Sequence, residues 1–150
     1  DQTIPLGLEG RDVIGIANTG TGKTAAFAVP VLDKLMNNPH SNALIIAPTR
    51  ELAQQIEDEL RSIGKKSGMF GVLLIGGTPM GPQLRDLRSK PRVVIGTPGR
   101  IKDHLERGTL HLATFDVVVL DEVDRMLDMG FLPDMRILSR HHSSHPHRSS

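Results

Sequence analysis

The sequence predicts a parallel α/β sheet with helices on both faces. Short apolar, β-branched runs recur along the chain, and each is followed by turn residues and then an amphipathic stretch, which is the alternation typical of βαβ units. Most of these runs are apolar throughout, as expected for strands buried on both faces. A chain of 150 residues is long enough for one domain with a core. We therefore expect a single α/β domain.

The predicted strands are the apolar runs 13–17, 43–47, 71–75, 92–95 and 115–120. One predicted helix carries apolar residues on a single face, at Leu52, Ile56, Leu60 and Ile63. Another begins after Thr97, with Pro98 in its first turn, and ends before Gly108. These helices are expected to pack on the sheet.

The composition limits the classes of function. The net charge is +1 and the aromatic residues are four Phe without Trp or Tyr, so a nucleic acid would be held by its backbone rather than by base stacking. There is no Cys, which excludes disulfides and thiolate metal sites and suits a reducing cytoplasm. No apolar run is long enough to span a membrane and no signal segment is apparent. We expect a cytoplasmic protein without a membrane partner, and nothing implies an oligomer.

The last ten residues, 141–150, differ from the rest because they contain His, Ser, Pro and Arg but no apolar side chain. We expect a disordered tail here, following a domain that occupies residues 1–140. A His-rich tract can also bind metal, but a flexible one loses conformational entropy in doing so. A solvated tail is therefore the favoured interpretation.

Residues 17–24 lie between a predicted strand and a predicted helix, which is the setting of a phosphate-binding loop. Gly20 and Gly22 allow a tight turn whose N–H groups point at phosphate oxygens, beside the positive end of the helix. Lys23 would reach the β- and γ-phosphates of ATP, and the Thr24 hydroxyl would bind Mg²⁺. The alternative is an ordinary strand-to-helix turn with an exposed lysine. The predicted ATP-binding residues are Thr19, Gly20, Thr21, Gly22, Lys23 and Thr24.

A second predicted site is acidic. It follows the last predicted strand, which ends directly in Asp121 and Glu122. Ligands of open α/β sheets bind at the carboxyl ends of the strands. Asp121 would hold Mg²⁺, through water, and Glu122 would orient and deprotonate the attacking water. The alternative is that both acids only cap the next helix. With Lys23, they are the predicted catalytic residues.

Three further loops, which we call the rim loops, follow predicted strands and should share the same edge of the sheet. Each combines small or hydroxyl residues with backbone N–H groups, and two contain an arginine, a combination that suits phosphate oxygens without reading bases. Ordinary helix capping is the alternative for each loop alone. The predicted nucleic-acid-binding residues are Pro48, Thr49, Arg50, Gly76, Gly77, Thr97, Pro98, Gly99 and Arg100.

Taken in order, these motifs resemble those of the DEAD-box RNA helicases. The resemblance runs from about Ile4 to about Leu138 and includes Ala17, which agrees with the family's form of the phosphate loop, and Val123, a variant of its acidic motif that the family uses. It implies a first RecA-like domain, incomplete at its carboxyl-terminal side, of an ATP-dependent RNA helicase. ATP and Mg²⁺ would be its cofactors, and single-stranded or short duplex RNA its partner.

The chain departs from the family pattern in three ways. The adenine-binding glutamine motif is expected before Asp1, and Gln2 is out of register with it. The Ser-Ala-Thr motif is expected where the His/Ser tail stands, which removes the expected partner of Asp124. A second RecA-like domain, which closes over ATP in the family, is absent. We therefore expect the isolated chain to bind nucleotide weakly and to unwind little or no RNA.

Two other functions stay open on the sequence. One is a different kind of phosphate-loop enzyme, such as a small kinase or a transport ATPase, which would need an acceptor pocket in place of the three rim loops. The other is a fragment that binds nucleic acid without turnover. Phosphate release measured with and without RNA distinguishes both from a helicase.

Overall fold

The computed structural model describes residues 2–3, 12–16, 23–64 and 71–130 and shows in them a six-stranded sheet covered by helices on both faces. The strands are β1 (Gln2–Thr3), β2 (Asp12–Ile16), β3 (Ala43–Ile46), β4 (Gly71–Leu74), β5 (Val93–Gly96) and β6 (Val117–Asp121). The helices are α1 (Lys23–Asn37), α2 (Arg50–Ile63), α3 (Met80–Arg88), α4 (Pro98–Arg107) and α5 (Val123–Asp128), with a 3₁₀ turn at Leu112–Thr114.

All five predicted strands are confirmed, with small shifts of their ends, while Ala17, the last residue of the predicted strand 13–17, lies outside the described residues. The largest shift is in β6, which begins at Val117 rather than Phe115.

The helix predicted to carry Leu52, Ile56 and Leu60 on one face is confirmed as α2, although Ile63, expected on the same face, is exposed at its end. The helix predicted after Thr97 is confirmed as α4, which has Pro98 in its first turn and stops at Gly108, a residue in the left-handed conformation that ends many helices. Helices α1 and α5 begin where the sequence indicates them. Strand β1 and helix α3 were not predicted. The predicted tail, residues 141–150, lies outside the described residues.

The strand order is β1-β2-β6-β3-β5-β4, and all neighbours are parallel except β1, which pairs with β2 in the antiparallel sense. From β2 through β3 to β4 the chain crosses the sheet in one direction, and through β5 to β6 it returns. Because βαβ crossovers are right-handed, a reversal of direction moves the connecting helices to the opposite face. Helices α1 and α2 therefore cover one face, and α3, α4 and α5 cover the other.

Each central strand contributes to two hydrophobic cores. In β3, Ile45 packs in the core that contains Ile56 of α2, whereas Ile46 packs in the core that contains Ile101 of α4. All of β3 is buried, which explains why its sequence is apolar without alternation.

The carboxyl ends of the parallel strands lie at one level. Ile46 of β3 is opposite both Leu120 of β6 and Gly96 of β5, and Gly96 is opposite Leu74 of β4. The loops after these strands consequently share one edge of the sheet. Within the described ranges, no helix combines the length and the apolar character needed to cross a membrane.

Candidate functional site

The connection between β2 and α1 has the strand-to-helix form predicted for a phosphate loop. β2 ends at Ile16 and α1 begins at Lys23. Lys23 and Thr24 are the first two residues of α1, where unpaired backbone N–H groups and the helix dipole favour an anion. Four of the predicted ATP-binding residues lie outside the described part of the chain: Thr19, Gly20, Thr21 and Gly22.

Asp121 lies beside this connection. It is the last residue of β6, it is fully buried, and it pairs in the parallel register with Ile16, the residue at the end of β2. Neighbouring strands are about 4.8 Å apart, so the backbone of Asp121 runs alongside the end of β2, after which the predicted phosphate loop follows in the sequence. Strand pairing thus brings together two segments about a hundred residues apart in sequence.

Glu122 adopts a left-handed backbone conformation, with φ 55° and ψ 53°. A residue with a Cβ loses about 1 kcal/mol or more there, and such strained residues cluster at functional sites. Its carbonyl oxygen accepts hydrogen bonds from the N–H groups of Arg125 and Met126, at 3.0 and 3.2 Å, but its side chain does not cap α5. The carboxylate is 3.6 Å from Nη1 of Arg125. Side-chain capping therefore does not account for this acid.

Asp121 offers the kind of ligand that Mg²⁺ prefers. It is a fully buried carboxylate, which is a hard oxygen ligand. In the part of the chain that the structure describes, no three His, Cys, Asp or Glu side chains gather into a complete metal site. A single carboxylate can hold an ion that takes most of its ligands from water and from nucleotide phosphates, as Mg²⁺ commonly does.

The three rim loops meet in one open cleft of about 420 Å³. The structure thus brings together residues that are as far apart in sequence as Pro48 and Asp103. The cleft is lined by Pro48, Arg50, Gly76, Thr97, Gly99, Arg100 and Asp103.

The first two loops contact each other through Arg50. Thr49 caps α2, since its Oγ1 accepts a hydrogen bond of 3.2 Å from the N–H of Leu52, and Arg50 is the exposed first residue of that helix. Gly77 has φ +81°, and a Cβ placed on it would be 2.7 Å from Nη1 of Arg50. The backbone conformation therefore favours glycine at this position, and a larger residue would also require the end of the Arg50 side chain to move.

The third loop is bound to the sheet by its backbone. The N–H of Thr97 donates to the carbonyl oxygen of Leu74 at 3.1 Å, and Thr97 precedes α4 without making a side-chain cap bond. Pro98 is buried at the start of α4, whereas Gly99 is exposed, with open space where a Cβ would lie. The exposed backbone at Gly99 can therefore be approached closely by a ligand.

Arg100 is largely enclosed, with its side chain 14% exposed. Its Nη1 donates to the carbonyl oxygen of Thr78 at 3.3 Å and to Oε1 of Gln83 at 3.2 Å, and its Nε is 3.7 Å from the Asp103 carboxylate. The guanidinium group is therefore held by the fold while it borders the cleft.

Sequence reasoning missed two buried polar residues behind the cleft, Gln83 and His104. Gln83 lies in α3, a helix that was not predicted, and its bonds reach the loop after β4 and two residues of α4. The sequence around Gln83 contains no signal for this role, because its burial in α3, a helix that also contains leucines, appears only in the structure.

Comparison with known proteins adds independent information. The family model described as DEAD/DEAH box helicase matches residues 1–149. The DEAD-box ATP-dependent RNA helicase CshA of Bacillus licheniformis is 49% identical over 146 residues, which is 96% of this chain and 30% of the relative. The ATP-dependent RNA helicase CshA of Listeria monocytogenes is 48% identical over 139 residues, or 92% and 27%. The chain thus spans about 30% of the length of these curated relatives.

Solved structures agree with the fold. A DEAD box protein from Methanococcus jannaschii superposes with a TM-score of 0.73 at 42% identity, over 90% of this chain and 38% of that one. Mss116p, solved bound to single-stranded RNA and AMP-PNP, gives a TM-score of 0.73 at 38% identity, over 91% and 30%. The predicted α/β architecture of a partial RecA-like domain is therefore confirmed.

Proposed function

This chain belongs to the DEAD/DEAH box helicase family, and we propose that it is the ATP-binding, first RecA-like domain of an ATP-dependent RNA helicase. The domain occupies residues 1–140 and the segment 141–150 is a tail. The parallel pairing of Ile16 with Asp121 carries the proposal, because it sets a buried acid beside the residue from which the proposed phosphate loop continues. A cytoplasmic location completes the proposal, since a chain without Cys suits a reducing compartment.

The nucleotide site combines the loop and the acid. Residues 19–22 would surround the phosphates with backbone N–H groups, Lys23 would add a full positive charge, and Thr24 with Asp121 would hold Mg²⁺. ATP bound with Mg²⁺ supplies a γ-phosphoryl group that water can attack.

Glu122 is proposed as the residue that positions and deprotonates the attacking water. It directly follows the buried Asp121, and the left-handed turn at Glu122 fixes it at the carboxyl edge of the sheet. An acid held there can accept a proton within hydrogen-bond reach of a nucleotide on the neighbouring loop.

RNA is proposed to bind in the cleft formed by the three rim loops. The cleft combines the Arg50 and Arg100 guanidinium groups with backbone at Gly76, Thr97 and Gly99, a set that contacts phosphates without reading bases. That Mss116p, a structural neighbour, was solved with single-stranded RNA and AMP-PNP supports both ligands.

Hydrolysis coupled to duplex remodelling is proposed to require a second RecA-like domain. The relatives are about three times longer than the matched region, since 30% of their length is covered. A second domain that closes over ATP can bind RNA and nucleotide together and separate short duplexes.

Lys23→Ala tests the nucleotide site. We expect ATP–Mg²⁺ binding to be abolished in the full-length protein, because the charge that pairs with the β- and γ-phosphates is removed. Lys34→Ala is the matched control, since Lys34 is near the other end of α1 and pairs with Asp12. Equal ATP affinity in both variants, measured by fluorescent-nucleotide titration, would contradict the proposed role of Lys23 in ATP binding.

Glu122→Gln tests the hydrolytic role in the full-length protein. We expect ATP and RNA binding to persist while phosphate release stops, because the amide cannot accept the proton of the water. Glu106→Gln, an exposed acid on α4, is the control. Unimpaired release in Glu122→Gln would remove Glu122 from the base role, and release that RNA does not stimulate in the unmutated protein would favour another kind of phosphate-loop enzyme.

A further inference from the structure

A buried glutamine connects two of the rim loops. Gln83 is 4% exposed, and its Nε2 donates to the carbonyl oxygen of Ile75 at 3.0 Å and to Oγ1 of Thr78 at 2.7 Å. Its Oε1 accepts from Nη1 of Arg100 at 3.2 Å. The amide of Gln83 thus forms hydrogen bonds both with the loop after β4 and with the arginine at the start of α4.

The orientation of this amide is fixed by its neighbours. A carbonyl oxygen such as that of Ile75 can only accept, so the amide nitrogen must face it and Oε1 must face Arg100. His104, which is fully buried, is 2.9 Å from Oε1 through Nε2, so Nε2 must carry hydrogen. The other ring nitrogen of His104 is 2.8 Å from Oγ1 of Thr109, which holds the ring in place.

The network uses one nitrogen of the Arg100 guanidinium, a group that lines the cleft. Nη1 is used twice, by Thr78 and Gln83, while in the described part of the chain Nε and Nη2 donate no hydrogen bond. Asp103 is 3.7 Å from Nε but is half exposed, and exposed ion pairs of this kind are weak. The Nε and Nη2 pair is the edge that binds a phosphate through two parallel hydrogen bonds.

We propose that Gln83 is a positioning residue for RNA binding, which locks the loop after β4 to the start of α4 and holds Arg100 by Nη1 so that its Nε and Nη2 bind a backbone phosphate. The inference rests on the proposed function. An arginine already held in its binding conformation loses less side-chain entropy when the phosphate arrives. A glutamine that only satisfied buried groups would affect stability but would not act through Arg100.

A double-mutant cycle in the full-length protein tests this role. The variants are Gln83→Met, which keeps the side-chain length but removes every hydrogen bond, Arg100→Met, and the double variant. We expect Gln83→Met to weaken single-stranded RNA binding and to raise the RNA concentration for half-maximal ATPase by about tenfold, the scale of one charge-assisted hydrogen bond. The turnover rate at saturating RNA and the affinity for ATP–Mg²⁺ without RNA should not change. Gln55→Leu, an exposed glutamine of α2, is the control.

The cycle distinguishes positioning from a structural role. If Gln83 acts through Arg100, the double variant binds RNA no more weakly than Arg100→Met alone, because residues in one network are not additive. Additive losses, or unchanged RNA binding in Gln83→Met, would overturn the proposal. If Gln83→Met does not fold, Gln83→Asn enters the same cycle, since it keeps an amide that is too short to reach both loops. Absence of RNA binding by the unmutated protein would instead overturn the proposed function, and this inference with it.

Discussion

The glycines after β4 differ in how well they tolerate substitution by alanine, and unfolding and RNA-binding measurements can show the difference. Gly77→Ala places a Cβ in a left-handed conformation and 2.7 Å from Nη1 of Arg50. We expect a loss of about 1–2 kcal/mol in the free energy of unfolding, from the backbone conformation, and weaker RNA binding because Arg50 must move. Urea unfolding and RNA titration measure both effects.

Gly81→Ala is the control for this substitution, since it lies in α3 with open space where its Cβ would be. Alanine there favours the helix and should leave stability equal or slightly higher. Equal stability and RNA affinity in Gly77→Ala and Gly81→Ala would contradict the role assigned to the glycine beside Arg50.

His104 makes stability depend on pH. Burial, followed by the nearby positive charges of Arg100 and Arg107, lowers the pKa of His104 below its ordinary value of 6.5, although Asp103 acts in the opposite direction. As the pH falls below 6.5, the unfolded chain takes up a proton that the folded chain refuses, so the free energy of unfolding falls. The loss is at most about 1.4 kcal/mol per pH unit and ends once the pH passes the folded pKa.

The measurement compares the full-length protein with His104→Gln. The urea midpoint of the unmutated protein should fall more between pH 7.5 and 5.5 than that of the variant, because the other titrating groups are common to both. An identical fall in the two proteins would show that His104 does not titrate differently on folding.

The residues that were predicted from sequence are indicated by the residues next to them in the chain, whereas those that were missed depend on contacts with distant segments. Asp121 and Glu122 could be predicted because a buried-strand pattern runs directly into them. Gln83 could not, because its partner His104 is 21 residues away and nothing in either segment indicates the other. A hydrogen bond between distant elements is visible only once the strand order is known.

At the scale of elements, the end of α1 is stabilised by Arg92, a residue just before β5 and far away in sequence. Arg92 donates to the carbonyl oxygens of Leu35, Asn38 and Ser41, at 2.5, 2.7 and 3.0 Å. These oxygens lie in the last turn of α1 and just beyond it, where a helix leaves carbonyl groups unpaired. A guanidinium group is suited to several acceptors at once and complements the negative end of the helix dipole.

Arg92→Met should therefore lower the free energy of unfolding by about 2–3 kcal/mol, since it leaves several partly buried carbonyl groups without a charged donor. Arg92→Lys should lower it less, because an ammonium group replaces part of the interaction. Arg85→Met, at an exposed position of α3, is the control and should change stability little. A urea midpoint of Arg92→Met equal to that of Arg85→Met would show that the Arg92 hydrogen bonds do not stabilise the end of α1.

The elements themselves were predictable to different degrees for a physical reason. The parallel strands are buried on both faces and so appear as uninterrupted apolar runs. Helix α3 contains Gly81 and Pro82, and its first residue follows Pro79, which makes no side-chain cap bond. Such a segment has weak helix propensity, and packing of Leu87 against the core compensates for it.

At the scale of the whole molecule, the site depends on a strand order that the sequence does not reveal. β6, the last strand along the chain, inserts between β2 and β3. Helices α1 and α5, which follow β2 and β6, lie on opposite faces of the sheet. In open α/β sheets, ligands bind at the carboxyl edge where such helices part. The motifs predict a shared site from their chemistry, and the topology brings the ends of β2 and β6 together at that edge.

The groups proposed for the nucleotide site all come from one domain, and in the proposed full-length helicase a second domain would add arginines that stabilise charge on the transferring phosphoryl group. We expect the 150-residue chain alone to bind ATP–Mg²⁺ weakly and to release phosphate at a rate that RNA does not increase. The full-length protein should turn over about a thousandfold faster or more with RNA, the scale of an arginine contributed to phosphoryl transfer. Phosphate release, measured with saturating ATP and with or without single-stranded RNA, checks this, and the full-length Glu122→Gln variant gives the background. RNA-stimulated turnover of the isolated chain at the full-length rate would show instead that residues 1–150 already contain every group the reaction needs.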